Sequence, residues 1–146
     1  METELEKKVF ADINPIIEAM DFHLIDLKIG RRKGIVDIHI VIFSSSGISI
    51  GDCSSVSKGI YPRLELFEEL EKFSLSVAST GLNWQIKRSR EYPFYIGKAL
   101  RILLPGASEW IKGELQGVNQ ENLIILTAGE SRALKISDIK KAKLDL

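Results

Sequence analysis

Apolar positions over the first 20 residues recur at spacings of three and four: Leu5, Val9, Ile13, Ile16, Ile17 and Met20. That period sets them on one face of a helix spanning residues 2–20. Glu2, Glu4 and Glu6 stand at the end where the helix dipole favours anions. Pro15 lacks the N–H the ladder needs, which predicts a kink or a second segment there. The period then drops to two. Phe22–Ile29 and Ile35–Phe43 alternate as strands around Gly-Arg-Arg-Lys-Gly, a Gly-bounded hairpin loop. Val36, Ile38, Ile40 and Ile42 share one face, with Asp37 and His39 on the other, as in a sheet covered by helices on one side.

A Ser/Gly-rich stretch follows and ends at a helix cap, either Ser49 or Asp52. Cys53, Val56, Ile60, Leu64 and Phe67 then form a second helical stripe, with Pro62 predicting a bend or a break near Gly59. Glu68–Lys72 reads as a solvated acidic segment. Beyond it Phe73, Leu75 and Val77 alternate with Ser74, Ser76 and Ala78, a third strand. The order is α-β-β-α-β, and the helix between the last two strands allows them to run parallel through a right-handed crossover.

After Gly81 the pattern changes. Ser89–Gly97 reads as one short helical turn, and from Lys98 onward five short strands are separated by tight polar turns. Such a run predicts a small closed barrel of the SH3 or Sm type, with Gly113 and Gly117 where it must bend. The expected fold class is therefore α+β in two domains. Residues 1–82 form an α/β sandwich with its helices on one face of a three-stranded sheet. Residues 83–97 are a linker with a short helical turn, and residues 98–146 form the SH3-like β-barrel.

A hydrophobic content of 45% and a charged content of 27% are those of a globular chain with a core. The net charge is zero but unevenly spread: up to Trp84 there are 9 Lys and Arg against 13 Asp and Glu, and from Gln85 onward 11 against 7. Only the second half leans toward a polyanion. No apolar run is long enough to span a bilayer, and the acidic start "METELEKKVF" has no signal-peptide core, so a cytoplasmic monomer without a membrane partner is expected. Cys53 is the sole cysteine, and His23 and His39 fall on different strands, so no disulfide, metal site or other cofactor is expected.

Catalytic signals are weak. Cys53 near a helix start has no nearby His or Asn partner, and its place on the apolar stripe reads as packing. No phosphate-binding Gly-rich loop or nucleophile elbow occurs. Asp26 and Asp37, facing each other across the hairpin, would be a carboxylate pair but little more. Neither an enzyme nor a small-molecule substrate is expected. Three basic clusters remain: Arg31, Arg32 and Lys33 at the hairpin tip with Lys28 nearby, Lys87, Arg88 and Arg90 in the linker, and Lys140, Lys141 and Lys143 near the last strand. Arg grips phosphate through two N–H groups at once, which favours the first two clusters as RNA contacts. Trp84 either stacks on a base or a partner, or pins the linker onto its own domain. Tyr92, Phe94 and Tyr95 read as packing.

Several of these stretches, in order, resemble the bacterial ribosome maturation factor RimP family. The strand "FHLIDLKI", the loop-to-helix entry "ISIGDCSSVSKGI" with Asp52, Cys53, Val56 and Ser57, and "LSVASTGLNWQIKR" ahead of the aromatic turn "EYPFYIGKALRI" carry the likeness. The family's Ser-Pro-Gly stands here as Ser79-Thr80-Gly81, and its Asp-Arg-Pro as Asn83-Trp84-Gln85, so an arginine gives way to an indole. The resemblance implies a factor that binds the immature small (30S) ribosomal subunit and promotes its maturation without a chemical step. Its partners would be rRNA and a ribosomal protein near the decoding centre. Arg31, Arg32, Lys33, Trp84, Lys87, Arg88 and Arg90 are the expected contact residues. A protein-only adaptor and a general RNA-binding module are the alternatives.

Overall fold

In the computed structural model, which describes residues 2–146, the first helix opens on a reciprocal cap. Thr3 Oγ1 accepts the Glu6 N–H at 3.1 Å, and Glu6 Oε1 accepts the Thr3 N–H at 2.8 Å, starting α1 (Glu4–Ala19). Glu6 Oε2 also accepts the N–H of Ile29 at 2.8 Å, which ties the helix to the strand beneath it. Burial alone would raise the Glu6 carboxyl, but the hydrogen bonds from Thr3 and Ile29 win and hold it below its ordinary value. The helix continues through Pro15 as one element, so the second segment expected there does not form.

Strand β1 (His23–Arg32) turns into β2 (Ile35–Phe43) through Lys33 and Gly34 alone, both in the left-handed region at φ 52° and 79°. The five-residue loop expected from the sequence is thus a two-residue turn, whose backbone matches the twist of the strands. Arg31 and Arg32 belong to the ladder, opposite Val36 and Ile35. A bulge between Leu24 and Asp26 shifts the register of β1. Asp26 consequently lies opposite Val41 and Asp37 opposite Gly30, so the two carboxylates do not face each other.

Helix α2 (Ile50–Leu64) begins at Ser49, whose hydroxyl accepts the Asp52 N–H at 3.0 Å while Asp52 returns the bond to the Ser49 N–H. It passes through Gly59 and Pro62 without a break. A Cβ at Gly59 would stand 3.2 Å from Met20 Sδ, so the glycine serves the close approach of α1 and α2. The acidic stretch is not wholly solvated, because Glu68–Leu70 forms a 3₁₀ turn that buries Leu70. Strand β3 (Phe73–Ser79) runs parallel to β2, giving the sheet order β1-β2-β3. Val9, Ile13 and Ile17 from α1 and Val56, Ile60 and Leu64 from α2 close one core with Val36, Ile38, Ile40 and Ile42. The helices therefore share one face, as the alternation of β2 requires.

The chain divides between Thr80 and Gly81 into two units. In the second, β4 (Ala99–Leu103), β5 (Ile111–Val118), β6 (Asn122–Thr127), β7 (Glu130–Lys135) and β8 (Lys141–Leu144) form one antiparallel sheet in the order β7-β6-β5-β4-β8. The expected closed barrel is not seen, since no ladder joins β7 to β8 and the sheet is open. The physical reason lies on the free edge of β8. Residues 82–86 lie along it: Leu144 N donates to Trp84 O at 2.9 Å, Ile86 N to Ala142 O at 2.8 Å, and Leu146 N to Leu82 O at 3.0 Å. Gln85 pairs with Lys143 in the same antiparallel sense. An edge already hydrogen-bonded has nothing left to offer β7. The fold class stays α+β, and no described helix is long and apolar enough to cross a membrane.

Candidate nucleic-acid interface

Past residue 86 the chain leaves β8 and turns into a 3₁₀ segment, Ser89–Tyr95. Glu91, only 1% exposed, organises this turn. Its Oε1 accepts the indole N–H of Trp84 at 2.9 Å and the hydroxyl of Tyr95 at 2.8 Å. Its Oε2 accepts the backbone N–H groups of Lys87 and Arg88, both at 2.9 Å. Four donors thus converge on one buried carboxylate.

Lys87 is exposed, Arg88 half-buried and Arg90 exposed, while Lys87 Nζ lies 4.8 Å from the centre of the Trp84 ring. Lys87 and Arg88 line a cavity of about 190 Å³ together with Lys140, Lys141, Ile86, Tyr92 and Ile139 among others. The fold therefore brings Lys87 and Arg88 of the second cluster and Lys140 and Lys141 of the third into one cleft. Trp84 is half-buried and pinned at both its carbonyl and its indole nitrogen. Tyr92 and Tyr95 are buried, which removes their rings from any stacking role. Burial, with Glu91 alongside, pushes the Tyr92 hydroxyl up to about 12 and moves that of Tyr95 upward as well. A tyrosine that stays protonated when folded but ionises when unfolded stabilises the fold below pH ~10 and ceases to do so above it. Alkaline titration should therefore show the second unit losing stability from about pH 10 to 12, with late tyrosinate absorbance. Tyr92→Phe should flatten that loss.

The hairpin cluster sits on the first unit in a different electrostatic setting. Arg32 Nε is 3.5 Å from Asp37 Oδ2, and Arg31 shares a groove with Glu68, Glu69 and Glu71. Lys33 occupies the turn itself. Acidic neighbours weaken the field these cations project, whereas the cleft belongs to a unit with 11 cations against 7 anions. Other polar groups serve the fold. His39 Nδ1 meets Ser76 Oγ at 2.7 Å across β2 and β3. Burial, then the Asp52 charge, pushes the Cys53 thiol up, the wrong direction for a nucleophile. Glu91 was missed in the sequence because the residue three positions before it is Arg88, not the Ser, Thr, Asp or Asn that marks a helix start.

An α/β unit followed by an open β-sheet with an excess of cations, four of which line one cleft, defines a two-unit α+β protein. The family model of the RimP N-terminal domain matches residues 12–83, which takes in most of the first unit. The chain belongs to the RimP family, and membership implies a role in ribosome maturation in general.

Proposed function

We propose that the protein binds the immature small (30S) ribosomal subunit in the cytoplasm and promotes its assembly by binding alone, as a monomer. The observation that carries this reading is the cleft in which Lys87 and Arg88 meet Lys140 and Lys141. Phosphate oxygens of rRNA suit it: each contact releases condensed counterions, and the arginine adds two-point geometry. Arg90 and the exposed side of Trp84 extend the surface, and Arg31, Arg32 and Lys33 form a second, weaker contact on the other unit. A ribosomal protein near the decoding centre is the remaining partner, reached by the same segment. Such a factor shifts an assembly equilibrium only by its differential affinity for two states, so it must hold the unfinished particle more tightly than the finished one.

Co-sedimentation tests this reading. The protein should travel with free small subunits and much less with complete ribosomes, and equal association with both would overturn it. Arg88→Ala with Arg90→Ala should weaken binding about tenfold or more and lower the salt slope by about 2. A protein-only adaptor would show little RNA affinity and almost no slope, and a general RNA-binding module would hold unrelated structured RNAs equally well.

A further inference from the structure

The outward face of the second sheet carries a row of cations that the cleft does not include. Arg101, in β4, lies opposite Lys112 of β5 on one side and opposite Lys143 of β8 on the other. Three positive side chains therefore stand in register across three neighbouring strands, at the ~4.8 Å spacing of a sheet. The alternation confirms their face, since Leu100 and Ile102 on either side of Arg101 are buried, as is Ala142 beside Lys143. Like charges directly opposite one another destabilise a sheet, and a carboxylate among them is the ordinary remedy. None lies within ion-pair distance of Lys112, Arg101 or Lys143 among the described residues, although Glu114 lies two residues along β5 and Asp145 just past the end of β8.

An indole occupies the place a counter-ion would take. Trp110, two residues before Lys112, has Lys143 Nζ 5.3 Å and the Arg101 guanidinium carbon 5.9 Å from its ring centre. A ring face steers a cation without cancelling its charge. Arg101 Nε is buried and finds no hydrogen-bond acceptor among the described residues. The row is thus held in place and unneutralised. That arrangement is poor for a structural ion network and suited to an anion arriving from outside.

We infer that Lys112, Arg101 and Lys143, aligned by Trp110, form a second phosphate-binding track that takes consecutive backbone phosphates of an RNA strand. Three charges about 10 Å from end to end match a few successive phosphates of one strand. Trp110 is a positioning residue here, and its π-face is engaged by the protein's own cations rather than by a base. The inference extends the proposed RNA contact to a surface outside the cleft. It rests on that reading only for the identity of the RNA.

The test uses the full chain and a transcript of small-subunit rRNA, with affinity measured over a range of salt. Replacing Lys112, Arg101 and Lys143 together by Gln should reduce affinity at least tenfold and lower the salt slope by about 2–3. The same variant should melt about 2–4 °C higher, because the repulsion within the row is gone. Trp110→Leu should cost several-fold in affinity and leave the slope unchanged, since it keeps every charge. An unchanged slope in the Gln variant overturns the inference. A lowered melting temperature overturns it too, by showing that the row supports the fold. The Arg88/Arg90 variant measured in parallel separates the two readings: if it loses binding and the Gln variant does not, the cleft stands and the track falls.

Discussion

Glu91→Ala is expected to cost the second unit about 3–5 kcal/mol, the largest effect of any single truncation outside the apolar core. The carboxylate accepts from the Trp84 indole, the Tyr95 hydroxyl and the backbone N–H groups of Lys87 and Arg88. Each buried donor left without an acceptor costs about 1–3 kcal/mol, reduced wherever water can enter the space the side chain leaves. Glu91→Gln keeps one acceptor oxygen and should lose roughly half as much. Chemical denaturation followed by tryptophan fluorescence measures both, and Glu130→Ala, at an exposed position, should change almost nothing. A loss under about 1 kcal/mol in Glu91→Ala would show that the hub is dispensable. RNA affinity should fall with stability in the Ala variant, because the cleft loses the anchor of two of its cations.

Gly113→Val should cost about 2–4 kcal/mol. A Cβ at this position would lie 2.5 Å from Ile125 Cγ2 and 2.5 Å from the backbone oxygen of Leu126. A side chain can rotate away, but a main-chain carbonyl held in the β5–β6 ladder cannot move without parting the strands. Gly113→Ala meets the same clash with its Cβ alone, and Gly117→Ala is its matched control: the nearest neighbour there would be Ile124 Cγ1 at 3.9 Å, so that exchange should be neutral or slightly stabilising. The contrast places the need for glycine at Gly113 in sheet packing rather than in turn geometry. Equal melting temperatures for the two variants would remove that explanation.

The first unit was largely legible in the sequence because its periods are long and clean. Strand β2 alternates from Val36 to Ile40 and falls where that alternation puts it, and both helical stripes point at the core they enter. The misreadings came from rules that local packing overrode. Pro15 and Pro62 sit inside continuous helices, where one lost N–H is outweighed by an apolar face already committed to the sheet. The hairpin was read too long because a lysine at positive φ carries no signature, whereas a glycine does. In the second unit the five strands announced themselves but their closure did not. Pairing of residues 82–86 with β8 links positions about 60 apart, and short alternating runs say nothing about which edge meets which. For the cleft, the sequence offered Lys87 and Arg88 and, separately, Lys140 and Lys141. Only the antiparallel pairing along β8 reveals that they are neighbours.

That pairing also governs how the second unit comes into being. The stretch beside Trp84 is synthesised well before the strand it must lie against, about 60 residues further along. Closing so distant a contact is slow compared with forming a local hairpin, and its entropy is repaid only once both partners exist. The cationic cleft therefore needs both ends of the second unit: removing residues 140–146 should abolish it together with the pairing along β8.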